Sequence, residues 1–282
     1  MATTTKAAPR KAPKTRAAGT TLASAKGPAA RAPAATRPRA ATKAAATPVT
    51  ATQAPATKSR SNAAATRATL TISSRNYSSW SLRGWLLTRF AGLAVDEIMV
   101  PIDNADARRE LLLLAPSILV PCLEHEGARV WNVMAIAYYL DEIRPQAGLL
   151  PADRIARAHC RAVCGEMNSG FANLRSALPM NLKAKHTGFR IWAGAQPDID
   201  RIVEIWHDCF DKYGGPYLFG ARRTMADAMY APVVTRFLTY GVKLPRRCAD
   251  YCRTVMAMPE MQAWVAAAKA EPEEIEELDM EF

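Results

Sequence analysis

The chain lacks several features that would place it in particular classes of protein. It contains no run of 18 apolar residues, so we expect no membrane-spanning helix. Its six cysteines include no Cys-x-x-Cys pair, and such scattered cysteines indicate reduced thiols rather than a disulfide framework. Cys160 and Cys164 are spaced for one helix face beside His159, but the sequence predicts no metal site there.

Residues 1–68 lack acidic and aromatic side chains altogether. They hold six lysines, seven arginines and seven prolines among many alanines and threonines. Such a segment buries too little apolar surface to offset its ordering entropy, so we expect a disordered basic tail. The net charge of +11 belongs to this tail, because the rest of the chain has 24 basic and 26 acidic residues.

The tail allows two functions besides that of a solvated extension. It has no apolar segment typical of a secretory signal, but its acid-free composition is also found in organelle transit peptides. Alternatively, its cations predict weak, non-specific contact with nucleic acid or an anionic surface. We therefore expect a cytoplasmic protein, or an organelle-targeted one if the tail is a transit peptide.

The folded part begins with a short strand that runs into a helix. Residues 69–73 alternate in a β-favouring pattern, and from Leu82 onward apolar residues recur at helical spacing. Between the two patterns lie Ser78, Ser79 and Ser81, where a helix start leaves backbone N–H groups free. A serine at such a place can cap the helix or bind a thiol or an anion.

The following residues predict a β-α-β-α-β-β-α order. Pro121 stands at the head of a predicted strand, which is unusual because proline cannot donate to the ladder. From about residue 152 the pattern is helical throughout. We place the elements of the first segment as strands at 69–73, 97–102, 120–125 and 128–131, and as helices at 79–92, 105–114 and 133–143.

These motifs resemble those of the glutathione S-transferase superfamily, in its serine-using branch. Residues Asn76–Arg83 (Asn-Tyr-Ser-Ser-Trp-Ser-Leu-Arg) look like the Ser-Ser-Cys-Ser-x-Arg start of the zeta class, whose members isomerise maleylacetoacetate. They look still more like a bacterial group that carries Tyr-Ser-Ser-Trp-Ser. The resemblance implies an α/β thioredoxin-like domain at 69–148 and an all-α domain at 152–272. The acidic residues from Glu271 to Asp279 predict a solvated end, and we place the acidic tail at 273–282.

The resemblance also implies a glutathione site with glutathione as co-substrate and no metal. Catalysis would fall to Ser78 or Ser79, and we favour Ser78 as the first of the pair. In the family the Val-Pro bond is cis, and the backbone before it pairs with the cysteinyl part of glutathione. The residues implied to bind glutathione are Ser81, Val120, Pro121, Asn132 and Val133.

Two positions depart from the family at this site. The family usually carries Asp-Ser or Glu-Ser after the fourth strand, and that serine helps to hold the γ-glutamyl carboxylate; this chain has Asn132 and Val133. A lysine that often precedes Val120 is replaced by Leu119. Losing one hydrogen bond to a charged group costs about 1.5–3 kcal/mol, so we expect roughly ten- to a hundredfold weaker binding.

The helical segment adds a predicted wall for the electrophilic substrate and one structural motif. The resemblance implies that Thr224 and Asp227 form a capping box at a buried helix, so we predict a structural role for Asp227. An arginine in the cleft would orient an anionic substrate, although the apolar members also suit plain helix packing. The residues assigned to substrate binding are Trp80, Met167, Phe171 and Arg175.

Three functions follow from these observations. The leading one is conjugation of the glutathione thiolate to a small electrophile, with a serine hydroxyl favouring the thiolate. The first alternative is a glutathione-dependent isomerase of the maleylacetoacetate type. The second is a non-catalytic glutathione-transferase-like binding protein, whose basic tail contacts polyanions. A homodimer is the family expectation in each case.

Overall fold

The structure is a computed structural model, and it describes residues 68–101, 104, 120–186 and 188–272. Residues 1–67 of the predicted basic tail, the helix predicted at 105–114, Leu119 and the acidic tail at 273–282 lie outside the described residues, whereas Ala68 belongs to the first strand. Within the described part, no helix combines the length and apolarity needed to cross a membrane.

The structure has a sheet of four strands, which are β1 (Ala68–Ile72), β2 (Val95–Met99), β3 (Cys122–His125) and β4 (Ala128–Trp131). They form a mixed sheet in the order β2-β1-β3-β4. β1 runs parallel to β2 and antiparallel to β3, which is antiparallel to β4. The parallel pair requires a crossover, and helix α1 (Ser79–Phe90) supplies it.

Three strands have boundaries that differ from the sequence-based prediction. β1 covers Ala68–Ile72 rather than 69–73, and β2 ends at Met99 rather than near residue 102. β2 begins at Val95 because its parallel register pairs Val95 with Ala68, and this pairing is invisible in the local pattern. β3 begins at Cys122 rather than at residue 120, because Pro121 has no N–H to donate to the ladder.

The remaining helices surround a core that runs through both the sheet and the helical segment. These helices are α2 (Val133–Ile143), α3 (Arg154–Ser169), α4 (Ala172–Ala177), α5 (Gln196–Tyr213), α6 (Met225–Thr239), α7 (Arg246–Met256) and α8 (Pro259–Ala270). Helix α6 lies at the centre of the core and packs against α1, α3 and α7. The predicted fold, a thioredoxin-like domain followed by an all-helical domain, is confirmed.

The capping box opens α6. Thr224 and Asp227 exchange the reciprocal hydrogen bonds of this motif, and the Thr224 N–H donates to Asp227 Oδ2 at 2.7 Å. The second carboxylate oxygen accepts hydrogen bonds from the Leu218 N–H and the Tyr251 hydroxyl, each at 3.1 Å. Asp227 therefore joins the start of α6 to the preceding loop and to α7.

All six cysteines are buried free thiols. Burial raises the pKa of Cys209 and of Cys252 to about 12, so these thiols are protonated and unreactive near neutral pH. Among the described residues, no group of three or more His, Cys, Asp or Glu side chains is arranged to hold a metal ion.

Candidate functional site

Ser78 is the N-cap of α1, and its hydroxyl is engaged twice. Its Oγ accepts a hydrogen bond from the Ser81 N–H at 3.2 Å and donates one to Ser81 Oγ at 2.9 Å. Ser81 Oγ in turn accepts from the Ser73 N–H at 3.0 Å. These buried serines form a chain of hydrogen bonds that fixes the turn from β1 into α1.

Ser79 is the first residue of α1 and presents a different hydroxyl. Its side chain takes part in no hydrogen bond within the part of the chain that the structure describes, although the residue is only 4% exposed. Its backbone carbonyl accepts from Arg83 Nη1 at 3.3 Å. Of the two adjacent hydroxyls, that of Ser79 is the one that a thiol can engage without breaking the cap.

The loop between β1 and α1 is held by the helical domain. Asn76 Nδ2 donates to Asn181 Oδ1 at 3.0 Å, and Asn76 Oδ1 accepts from the Leu182 and Lys183 N–H groups at 2.7 and 3.0 Å. The Trp264 indole N–H donates to the Arg75 carbonyl at 2.9 Å. The approach to the serine pair therefore depends on contacts between the two predicted domains.

Arg83 connects α1, the helix that begins at the serine pair and is called the serine helix below, to the core of the helical domain. It is 1% exposed, and its Nε donates to the Met229 carbonyl in α6 at 2.8 Å. Its Nη2 lies 3.3 Å from Met167 Sδ in α3, and its guanidinium lies 4.6 Å from the centre of the Trp80 ring. This one side chain therefore brings Trp80 and Met167 of the predicted substrate wall together.

The guanidinium of Arg175 also lies beside the Trp80 indole. Its guanidinium is 5.2 Å from the Trp80 ring centre, and its Nη2 donates to the Met167 carbonyl at 2.6 Å. Burial lowers the pKa of Arg175, against the opposing effect of Asp198. Its buried Nε and the buried Oδ1 of Asn168 have no hydrogen-bond partner in the described structure. A cation with an unpaired donor beside an indole suits an anionic ligand.

The Val120–Pro121 peptide bond is cis, as the family resemblance implies. Pro121 lies directly against α1 at Gly84. A Cβ atom on Gly84 would stand 2.6 Å from Pro121 Cβ, which is too close for any side chain. The glycine thus lets the strand that would pair with the glutathione backbone approach the serine helix.

The start of α2 combines a capped helix with an apolar first residue. Asn132 is the N-cap at a φ of 72°, and its Oδ1 accepts from the Met134 N–H at 2.9 Å. Val133 is 1% exposed and belongs to the core. Its side chain therefore adds packing to the site, and no side-chain hydrogen bond.

The predicted substrate-binding residues differ in their contacts and in their exposure. Trp80 and Met167 are joined through Arg175, which contacts both of them, as Arg83 also does. Met167 and Phe171 are both buried in the core, Phe171 at the start of α4 with a φ of 60°. Of this set, Trp80 and Arg175 retain the partial exposure that contact with a substrate requires.

Sequence reasoning missed three residues that shape the site. Arg83 ends the serine motif, and no local pattern signals that this arginine will be buried. Gly84 carries no signal either, because its role depends on a strand more than 30 residues away. Glu271 was placed at the start of a solvated acidic end, and this was wrong: its side chain is 9% exposed and hydrogen-bonded to the serine loop.

Comparison with known proteins agrees with this geometry. A probable maleylacetoacetate isomerase from Caenorhabditis elegans is 28% identical over 132 residues, which are 46% of this chain and 61% of that protein. The match thus covers less than two thirds of that relative's length.

Two solved structures share the fold. A glutathione transferase homologue from Burkholderia, with bound glutathione, is 24% identical at a TM-score of 0.53, covering 73% of this chain and 100% of that one. A maleylacetoacetate isomerase from Anaeromyxobacter dehalogenans is 23% identical at a TM-score of 0.53, covering 74% and 98%.

Family models match both parts of the folded chain in order. Residues 77–143 match the glutathione S-transferase N-terminal domain, and residues 153–267 match the glutathione S-transferase C-terminal domain. Together these matches cover β2, β3 and β4, helix α1 and most of the helical segment, whereas β1 precedes the first match. This chain therefore belongs to the glutathione S-transferase family.

Proposed function

We propose that this protein binds glutathione and conjugates it, through its thiolate sulfur, to a small electrophile. The observation that carries the proposal is the start of α1, where the Ser79 hydroxyl is unengaged among the described residues and the helix packs against the cis Val120–Pro121 strand. The Burkholderia homologue of this fold was solved with bound glutathione, which supports glutathione as the co-substrate.

The proposed chemistry needs a serine to donate and no metal. A free thiol has a pKa near about 8.5, and a hydrogen bond to the sulfur together with a helix N-terminus lowers it. We assign the donated hydrogen bond to Ser79, while Ser78 and Ser81 hold the turn. The thiolate forms a carbon–sulfur bond with the electrophile, the thiol proton passes to solvent, and a leaving group departs if the electrophile carries one.

Glutathione binding would use the backbone more than the side chains. The Val120 backbone would pair with the cysteinyl part, and the N-terminus of α2 at Asn132 and Val133 would face the γ-glutamyl carboxylate. Because Val133 brings no hydroxyl, we expect affinity roughly ten- to a hundredfold below that of a site with serine there.

The polar surroundings of Trp80 favour an anionic electrophile. The guanidinium of Arg175 lies beside the indole, and its buried Nε has no hydrogen-bond partner among the described residues, so a carboxylate or carbonyl of the substrate would satisfy the arginine. This observation supports the second candidate, a glutathione-dependent isomerase of the maleylacetoacetate type. The Anaeromyxobacter isomerase was solved with dicarboxyethyl glutathione, an adduct that carries carboxylates.

The test is glutathione binding by calorimetry, together with turnover of an aryl-halide substrate, on the full chain and on two single variants. We expect binding at about millimolar affinity, or roughly −4 kcal/mol. Ser79→Ala should keep the affinity within about threefold and lose at least tenfold in kcat, because one transition-state hydrogen bond is removed. Ser78→Ala should instead lower the melting temperature, because it removes the cap.

The outcomes separate the candidates. No binding at about ten millimolar, weaker than roughly −3 kcal/mol, would leave the non-catalytic binding protein as the surviving candidate. Full kcat in Ser79→Ala with loss in Ser78→Ala would return the catalytic role to Ser78. Turnover of maleylacetoacetate but not of aryl halides would select the isomerase.

Assembly and location form part of the same proposal. We propose a cytoplasmic homodimer, which light scattering coupled to gel filtration would check. A polyanion-binding role for residues 1–68 predicts salt-sensitive retention on heparin that is lost when those residues are deleted.

A further inference from the structure

The end of the last described helix reaches the loop that leads into the serine pair. Glu271 follows α8 directly, and its carboxylate accepts hydrogen bonds from the Ser74 hydroxyl at 2.8 Å, the Arg75 N–H at 2.7 Å and the Asn76 N–H at 3.2 Å. Both oxygens are used, and the side chain is nearly buried. A carboxylate bound by successive backbone N–H groups is a strong, directional contact.

The contact is supported on both of its sides. The Arg75 guanidinium lies between Glu97 at 2.6 Å and Glu271 at 3.7 Å, and also 5.8 Å from the Trp264 ring of α8. On the other side, Lys183 Nζ donates to the Glu271 backbone carbonyl. The residue is therefore fixed by its main chain as well as by its side chain.

Hydrogen bonds within this loop, residues 74–77, connect it directly to the start of α1. The Ser74 hydroxyl also accepts from the Asn76 and Tyr77 N–H groups, at 3.2 and 3.3 Å. The Ser74 carbonyl accepts from the Ser78 N–H at 2.9 Å. Two hydrogen bonds therefore separate the Glu271 carboxylate from the N-cap of α1.

We propose that Glu271 is a positioning residue for the serine pair. Its carboxylate sets the conformation of residues 74–76, from which Ser78 and Ser79 continue, so the site is assembled when the end of α8 is docked on this loop. The ordering of the loop stands on contacts alone, whereas its effect on turnover rests on the proposed function.

The test compares full-length Glu271→Ala and Glu271→Gln with Glu260→Gln as matched control. Glu260 lies on α8, the helix that Glu271 follows, and also binds an arginine, Arg223, at 2.7 Å, but its described contacts do not include residues 74–76. The first readout is hydrogen exchange of the Arg75, Asn76 and Ser78 amides without ligand. The second readout is steady-state kinetics, which gives KM for glutathione and kcat separately.

We expect Glu271→Ala to speed exchange of these amides by about tenfold or more, since three donors lose a charged acceptor. Glu271→Gln, which keeps one acceptor oxygen, should lie between it and wild type. Because the serine hydroxyl acts in the transition state, kcat should fall about tenfold in Glu271→Ala while KM for glutathione stays within about threefold, and neither readout should change in Glu260→Gln.

Unchanged exchange in Glu271→Ala would overturn the proposal, whether or not the protein binds glutathione. Faster exchange with kcat and KM at wild-type values would overturn the positioning role. If wild-type protein fails to bind glutathione, the proposed function fails, and the exchange data alone then support or refute the ordering of the loop by Glu271.

Discussion

Replacing Asp227 with asparagine should destabilise the protein while leaving the proposed site untouched. Asp227 is fully buried, and its two oxygens accept four hydrogen bonds. The Thr224 N–H and hydroxyl donate to Oδ2 at 2.7 and 3.2 Å. The Leu218 N–H and the Tyr251 hydroxyl donate to Oδ1, both at 3.1 Å.

Asparagine has the same shape but offers only one acceptor oxygen. Two of the four donors would then face an NH2 group, and each buried donor left unsatisfied costs about 1–3 kcal/mol. A partial gain offsets this loss, because burial raises the pKa of Asp227 in spite of its hydrogen bonds and the ionised form is costly to bury. We expect a net loss of about 2–4 kcal/mol, a large fraction of the stability of a typical domain.

The assay is urea unfolding followed by tryptophan fluorescence and circular dichroism. Asp153→Asn is the matched control, because Asp153 caps α3 at the surface by accepting from the Ile155 and Ala156 N–H groups. Asparagine caps a helix about as well as aspartate, so the control should change stability by less than about 0.5 kcal/mol. A loss below about 1 kcal/mol in Asp227→Asn would refute the hydrogen-bond accounting.

Two further predictions concern the serine helix and the glutathione site. Val133→Thr should raise glutathione affinity about tenfold in calorimetry, because it restores a hydroxyl at the start of α2 at nearly constant volume. Glu97→Gln should remove a stability term that depends on pH. Burial raises the pKa of Glu97, but hydrogen bonds from Trp85 and Arg75 outweigh it, and the folded-state pKa is lowered from 4.5.

The sign for Glu97 follows from that lowered pKa. The ionised carboxylate stabilises the fold fully above pH 4.5, and the stabilisation is lost as the pH falls through the lower folded-state pKa. The melting temperatures of wild type and Glu97→Gln should therefore converge in acid and separate near neutral pH; a difference that does not change with pH would contradict the assignment.

For Val133→Thr, Val130→Thr on β4 is the control that adds a hydroxyl away from the helix start.

The sequence predicted elements well where local signals mark both of their ends. The bounds of α2 were predicted correctly, because Asn132 caps its start and Pro145 follows its end. β4 was predicted equally well from the turn at Gly127, which adopts a positive φ of 83°. β2 was placed about two residues late, because the parallel pairing that sets its start involves residues far away in the sequence.

The residues of the candidate site divide in the same way. Resemblance indicated Ser78, Ser79 and Pro121, since they lie in one short motif and one proline-led strand. It could not indicate that Ser78 is engaged by the cap while the Ser79 hydroxyl is unengaged in the described structure, because this depends on side-chain rotamers. Arg83 was missed because its partners lie on helices that follow much later in the chain. Glu271 was missed because its partners, at residues 74–76, lie far before it in the sequence.

The geometry of the serine pair is therefore a property of both domains together. Arg83 leaves α1 to bind the Met229 carbonyl, and Asn76 binds the 181–183 loop. In a fragment limited to 69–148, the Arg83 guanidinium would lose that buried acceptor, and the Asn76 side chain would lose its partners. The face of α1 that packs on α6 would also be exposed to water, so such a fragment should lose the start of α1 first. The thioredoxin-like domain supplies the serines, and the helical domain sets where they point.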